Sequence, residues 1–357
     1  MKKIALIMVI GFLSCKQTVT QSPEQSLATK KQEQSMAVTD KINIQDITSD
    51  NIVEAIYAQV QRYKEEPMYY LRIGKANSLI EILVNDFPVY KSYELSNLAS
   101  PLRINSKILS SGTQTVTVRM YPVGDLIKEE YDSGETITQL GDASSVSINV
   151  IQIDKQSNMG LDDEEQVISH QSPTKDEDGE VFAGTGLPFY EYSFEFEAEV
   201  PYDLSELTWG NAADLTKVKR EYLEEEVLNY YTTYLQEFKK GNKNFVAKSY
   251  FISLFRQAQA YYHGKDEIQE MWDEELELIN NPTIEPQPIK DYEMIFYARG
   301  VVVFLRFKTK QDLFFRNKCA GWVKYTKDGV DRGNFFGLYL YRPKKKFNKR
   351  NLKLKMA

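Results

Sequence analysis

The chain has 357 residues, 42% of them hydrophobic, 27% charged and 12% aromatic, with a formal net charge of −7. That balance describes a folded protein with room for roughly two domains of about 150 residues each, and its acidity disfavours a nucleic-acid partner. Beyond Leu13 no run stays apolar for the roughly 20 residues needed to cross a bilayer, which excludes a polytopic membrane protein; two cysteines exclude a disulfide framework, and two histidines leave little for a histidine-rich metal site.

Met1-Lys2-Lys3 is a short positive segment, and Ile4 to Leu13 is an apolar run of signal-peptide length. The run ends in Phe12-Leu13-Ser14-Cys15, which resembles the lipobox of bacterial lipoproteins, with Phe12 and Leu13 departing from the usual pattern. The resemblance implies a signal peptide over residues 1–14, cleavage before Cys15, and a covalent lipid on the Cys15 sulfur and amino group. Each buried methylene of that lipid adds about 0.8 kcal/mol of membrane affinity. The alternative is an ordinary secretory signal with a chance cysteine. Lys16 follows Cys15, and by resemblance to lipoprotein sorting the absence of Asp there implies a cell-envelope protein anchored in the outer membrane and facing the periplasm.

Residues 15–45 are rich in Gln, Ser, Thr and Lys and read as a flexible tether. Thr48-Ser49-Asp50 offers helix caps, and Val53, Ile56, Tyr57, Val60 and Tyr63 recur at helical spacing before Pro67, so 46–67 is expected as one amphipathic helix. From 68 to 205 the period becomes two. Ile80, Ile82 and Val84 lead through Asn85-Asp86 into Phe87 to Tyr93, a hairpin pattern. Thr115 to Tyr121 and Val146 to Val150 alternate in the same way, and Tyr190 to Val200 sets Tyr, Phe, Ala and Val against Glu and Ser. Such strands without intervening helices predict an antiparallel β-sandwich, with 154–180 as a long acidic loop.

The period turns helical after Trp209. Three apolar stripes (Leu228 to Phe238, Ala247 to Tyr261, Ile268 to Ile279) are divided by Gly241 and Gly264, both read as C-terminal stops. Strands return at Tyr292 to Ala298 and Val301 to Phe307, the latter apolar on both faces and therefore expected at the centre of a covered sheet. Trp322 to Thr326 and Asn334 to Tyr341 complete a meander. The fold class predicted is α+β: an antiparallel β-sandwich domain (68–205), then a helical group packed on an antiparallel sheet (206–341), then a basic tail (342–357).

Asp176, Asp178, Gly179 and Val181 fall on four positions of a calcium-loop pattern. Thr174 and Thr185 occupy the places where its acidic ligands belong, so Asp176 and Asp178 are weak metal candidates beside a solvated acidic loop. The tail carries Arg342, Lys344, Lys345, Lys346, Lys349, Arg350, Lys353 and Lys355 and no acid. Of these, Lys344, Lys345, Lys346, Lys349 and Arg350 are the candidates for an anionic partner such as lipid headgroups. A solvated tail, or one that folds back on the acidic loop over 162–180, is the equal alternative.

Nucleophilic catalysis needs a base poised near neutrality; His170 falls in a polar loop and His263 at a helix end. No nucleophile, zinc or phosphate-loop motif is present, and no catalytic residue or cofactor other than the lipid on Cys15 is expected. The adjacent pairs Tyr69-Tyr70 and Tyr261-Tyr262 are candidate contact residues, since neighbours cannot all face one core. The 77–122 region, with Val84 to Tyr90 and Ile108 to Val118, resembles a stretch of uncharacterised envelope lipoproteins of Gram-negative bacteria. Two functions from different classes remain. The first is a lipid-anchored, non-catalytic protein binding a protein or glycan in the envelope, which requires an exposed aromatic or apolar patch. The second is a polysaccharide hydrolase using two carboxylates in a cleft.

Overall fold

The computed structural model describes residues 43–157, 160–175, 181–309, 312, 314–344 and 353–357. Its architecture is mixed α+β, with five helices and four antiparallel sheets among the described residues. No helix there is long and apolar enough to cross a membrane.

Strands β1 (Pro67–Ala76), β2 (Leu79–Val84), β3 (Phe87–Ser92), β4 (Leu102–Arg103), β5 (Gly112–Tyr121), β6 (Ser145–Asp154), β7 (Glu165–Gln171) and β8 (Tyr190–Ala198) build two sheets, ordered β4-β1-β6-β7 and β3-β2-β5-β8. The β2–β3 turn places Asn85 (φ 52°) and Asp86 (φ 58°) in the left-handed region that two-residue hairpins demand and that Asn and Asp tolerate. On β8, Tyr192, Phe194, Phe196 and Ala198 are buried while the intervening Glu and Ser side chains are exposed, so the strict alternation reports one covered face. Tyr69 of β1 reaches Phe196 across the sandwich, with ring centroids 6.0 Å apart.

Helices α1 (Ile52–Tyr57), α2 (Leu126–Tyr131), α3 (Arg220–Lys239), α4 (Lys243–Ala260) and α5 (Lys265–Ile279) precede or interleave the second half. Its strands are β9 (Glu285–Pro286), β10 (Tyr292–Tyr297), β11 (Val302–Phe307), β12 (Trp322–Lys327), β13 (Val330–Phe335), β14 (Leu340–Tyr341) and β15 (Lys355–Met356), in sheets ordered β10-β11-β14-β15 and β13-β12-β9. The two-faced apolar strand β11 lies inside its sheet, as its composition requires. Tyr231 joins helices to sheet: its hydroxyl donates to Leu338 O at 2.7 Å and accepts from Leu305 N at 2.9 Å. The approach is close enough that a Cβ at Gly321 would meet Tyr231 Cδ1 at 2.9 Å.

Buried side chains from Ile47 to Ala357 form one continuous apolar cluster. The seam between the halves also carries a buried ionic cluster. Glu81 of β2 is only 3% exposed and lies 3.7 Å from both Arg119 and Arg306. Tyr93 donates its hydroxyl proton to Glu81, and Lys91 Nζ donates to Asn317 O at 3.1 Å. Arg119 and Arg306 are each held at 2.6 Å by a second carboxylate, Glu191 and Glu293. Paired and hydrogen-bonded in this way, buried charges are tolerated that would be costly alone.

Several expectations need correction. The helix expected over 46–67 is confined to Ile52–Tyr57. Beyond it Gln259 of α4 replaces helical bonds, accepting from Gln61 N at 2.8 Å and donating to Gln61 O at 3.0 Å. The 154–180 segment is not all loop, because Glu165–Gln171 pairs with β6 as an edge strand. Gly264 starts α5 instead of ending α4: its N–H donates to Glu267 Oε2 at 2.7 Å, and the left-handed residue is Tyr262 (φ 51°). Tyr69 and Tyr70 are buried, since β1 is covered on both faces there, and Tyr262 is buried beyond α4 against Tyr63 and Tyr202.

The basic tail is also partly structural. Arg342 is buried and paired with Glu226, and 353–357 returns to the fold as β15 with Leu354, Met356 and Ala357 buried.

Candidate functional site

The residues marked in the sequence are dispersed. Cys15, Asp176, Asp178, Lys345, Lys346, Lys349 and Arg350 lie outside the described residues, and Lys344 is exposed. His170 belongs to β7, with its ring stacked on Phe194 at 4.1 Å and 17°; burial lowers its pKa and favours a neutral packing residue. His263 lies 3.0 Å from Glu267, yet burial outweighs that carboxylate and lowers its pKa, against the cation expected at a helix end. Cys319 is buried beside Tyr231, and burial pushes its thiol up to about 11. Neither histidine is a hydrogen-bond partner of the thiol, so no nucleophile–base pair forms there.

Two features stand out on the surface. The first is an aromatic platform on the β12–β13 hairpin. Trp322 and Phe335 are directly paired in register, so their side chains leave the sheet on one face. Their rings stack with 5.2 Å between centroids and 11° between planes. Gly333 leaves the gap in which the Phe314 ring lies: a Cβ there would come within 3.0 Å of Phe314 Cζ and 3.3 Å of Trp322 Cε3. Phe315 packs edge-on between Phe314 (4.9 Å) and Trp322 (5.4 Å) and reaches inward to Phe307 (4.7 Å). Lys318 Nζ lies over Phe314 and Phe335 at 4.8 and 4.7 Å. Phe314 remains 48% exposed, although it is held from four sides. A rigid ring cluster that keeps contact with water is the surface type that becomes a binding hot spot or a stacking platform for sugar rings.

The second is an acidic cleft of about 510 Å³ at one end of the sandwich. Glu65, Asp154, Glu165, Glu197 and Glu199 line it, with Tyr69 among them. Tyr69 is fixed by Glu199, donating to its carbonyl at 3.3 Å and accepting from its N–H at 2.8 Å. Asp154 is engaged by the backbone N–H groups of Glu66 and Gln156, and Glu197 by Thr113. No basic side chain pairs with Glu65, Glu165 or Glu199 among the described residues. Nor is any group of three or more His, Cys, Asp or Glu arranged to hold a metal ion there. The carboxyl that burial pushes up to about 7 is Glu275 of α5, beside Tyr250 and outside the cleft.

Sequence reasoning missed both features. The hairpin pattern marked Trp322 and Phe335, but Phe314 and Phe315 arrive from an irregular segment with no periodicity to read. The cleft gathers acids from four separate stretches, and no spacing encodes that. No family model, no curated protein and no solved structure matches the chain.

Proposed function

We propose that the protein is a lipid-anchored, non-catalytic binding protein of the bacterial cell envelope, presenting its aromatic platform to a protein or glycan partner. Cys15 carries the anchor in this reading, and residues 15–45 give the platform its reach from the outer membrane into the periplasm. The observation that supports it is the half-exposed Phe314 packed against Trp322 and Phe335, a contiguous aromatic surface that core packing does not require. The test is cross-linking in intact envelopes with the lipidated protein, the Cys15→Ala protein and a Phe314→Ser/Trp322→Ala variant. A partner lost from both variants but kept by Glu165→Gln supports the reading. A partner indifferent to the platform variant overturns it.

The acidic cleft favours a second reading, hydrolysis of an envelope polysaccharide by two carboxylates. Release of soluble fragments from purified envelope glycan, abolished by Glu165→Gln or Glu199→Gln and untouched by Trp322→Ala, is its signature.

A further inference from the structure

Where the sandwich meets the helical layer, half-buried Lys107 and buried Arg256 share one aromatic neighbour, and neither is paired with a carboxylate among the described residues. Lys107 ends the short 3-10 turn Asn105–Lys107, and its Nζ lies 3.7 Å from the Phe87 ring centroid and 5.5 Å from that of Trp209. Arg256 of α4 is only 3% exposed, and its guanidinium lies 4.8 Å from the same Trp209 ring. It donates to Ser106 O at 2.5 Å, one residue before Lys107, and to Ser253 Oγ at 3.3 Å, while its Nε is buried without a partner. No carboxylate pairs with either cation among the described residues. Each feels the other, or nearby phenols, in place of an acid: Arg256 repels Lys107, and Tyr261, Tyr341 and Tyr202 surround Arg256.

Several other buried charges have ionic partners. Glu81 has Arg119 and Arg306, Arg342 has Glu226, and Glu66 has Arg62. In a chain of net charge −7 acids are plentiful, yet none pairs with Lys107 or Arg256 among the described residues. Leaving a charge such as that of Arg256 uncompensated away from water costs several kcal/mol. The aromatic faces of Phe87 and Trp209 offset part of that for an ammonium, but they offer nothing to the bare Nε of Arg256.

We propose that Lys107 and Arg256 form an anion-binding site at the junction of the sandwich and the helical layer, taking one oxyanion, the phosphate or carboxylate group of a small ligand. Burial and then Arg256 push the Lys107 pKa well below the usual lysine value, so the free site holds this ammonium less readily than water does. A bound oxyanion reverses this, because an opposite charge favours the ammonium. Proton uptake and anion binding are therefore linked at this site, and the site is separate from the aromatic platform.

The test uses the whole folded protein and two probes, inorganic phosphate and acetate, with chloride matched for ionic strength. A saturable rise in Tm with phosphate or with acetate beyond the chloride control, absent from Lys107→Met, is expected; the probe that works identifies the oxyanion. An equal response in Lys107→Met, or a response no larger than chloride, overturns the site. Because a substitution here can disturb packing, the wild-type protein is also acetylated competitively across pH, and each lysine's titration is read by peptide mass spectrometry. Lys107 is expected to react at lower pH than the exposed lysines, and to shift upward when the effective probe is present. A Lys107 profile that the probe leaves in place overturns the proposal without reference to any variant.

Discussion

Lys91→Met isolates the energetics of the seam. Lys91 Nζ donates to Asn317 O and is enclosed near Arg306 and Arg119, and burial pushes its pKa down from 10.5 to about 8, against the pull of Glu81. A lysine whose folded pKa is depressed is protonated more readily in the unfolded chain, so between about 8 and 10.5 unfolding takes up a proton and stability rises with pH. Below about pH 8 the full penalty applies, about 3 kcal/mol at 1.36 kcal/mol for each pKa unit. Integrating the proton difference from about pH 6.5 to about pH 9.5 recovers about 2 kcal/mol for the wild type from this residue. Buried tyrosines act in the opposite sense, because raised phenol pKa values such as that of Tyr297, pushed up to about 12 by burial, remove stability at the alkaline end. The measurement is therefore a difference: urea unfolding of wild type and Lys91→Met at both pH values. The expected result is a gap between the two proteins that moves by about 2 kcal/mol in favour of the wild type on going to the higher pH. A gap that does not move with pH refutes the argument that Lys91 is held in the fold at a cost.

Deleting residues 353–357 removes buried Leu354 and Met356 from beside β14 and α4, and at about 1.5–3 kcal/mol for each side chain the urea midpoint should fall by an amount equivalent to about 3–6 kcal/mol. A loss under about 1 kcal/mol would mean that this segment is not packed as described. Cys319, buried with its thiol pushed up to about 11, should resist a disulfide reagent in native buffer and react at once in denaturant; reaction of the native protein at the rate of a free thiol contradicts its placement. Gly333→Ala should displace Phe314, whose Cζ lies 3.0 Å from the new Cβ, and weaken partner cross-linking while the urea midpoint changes little. Unchanged cross-linking would separate Phe314 from the binding surface.

Legibility tracked the number of covered faces. β8 announces itself because one face is apolar and the other nearly all glutamate, and β11 because both faces are apolar. β7 was hidden, since an edge strand with only Val167, Ile168 and His170 half-buried carries too little pattern. β15 left a faint trace, Leu354 and Met356 alternating with lysines, which the surrounding charge masked. The seam was the least legible part. Glu81, Lys91 and Arg119 alternate with apolar residues as a solvent face would, and the strand pattern gives no sign that another sheet covers them. Lys107 and Arg256 were equally invisible, because their meeting over Trp209 depends on three segments distant in sequence.

The seam and the aromatic platform are contiguous. Asn317, whose carbonyl holds Lys91, immediately precedes Lys318, and Arg316 lies 5.5 Å over the Tyr93 ring. The stretch carrying Phe314 and Phe315 is thus pinned to β3 of the sandwich as well as to its own hairpin. Removing the Lys91 bond should loosen that stretch selectively, because Trp322 and Phe335 keep their ladder with each other. Hydrogen exchange in Lys91→Met should therefore accelerate across 314–318 and stay unchanged along β12. Uniform acceleration would indicate global destabilisation instead, and no acceleration would mean that Phe314 is held by ring packing alone. Local acceleration together with weaker cross-linking would tie the ionic seam to the presentation of the platform, and give a role to a lysine at a position where burial opposes its charge.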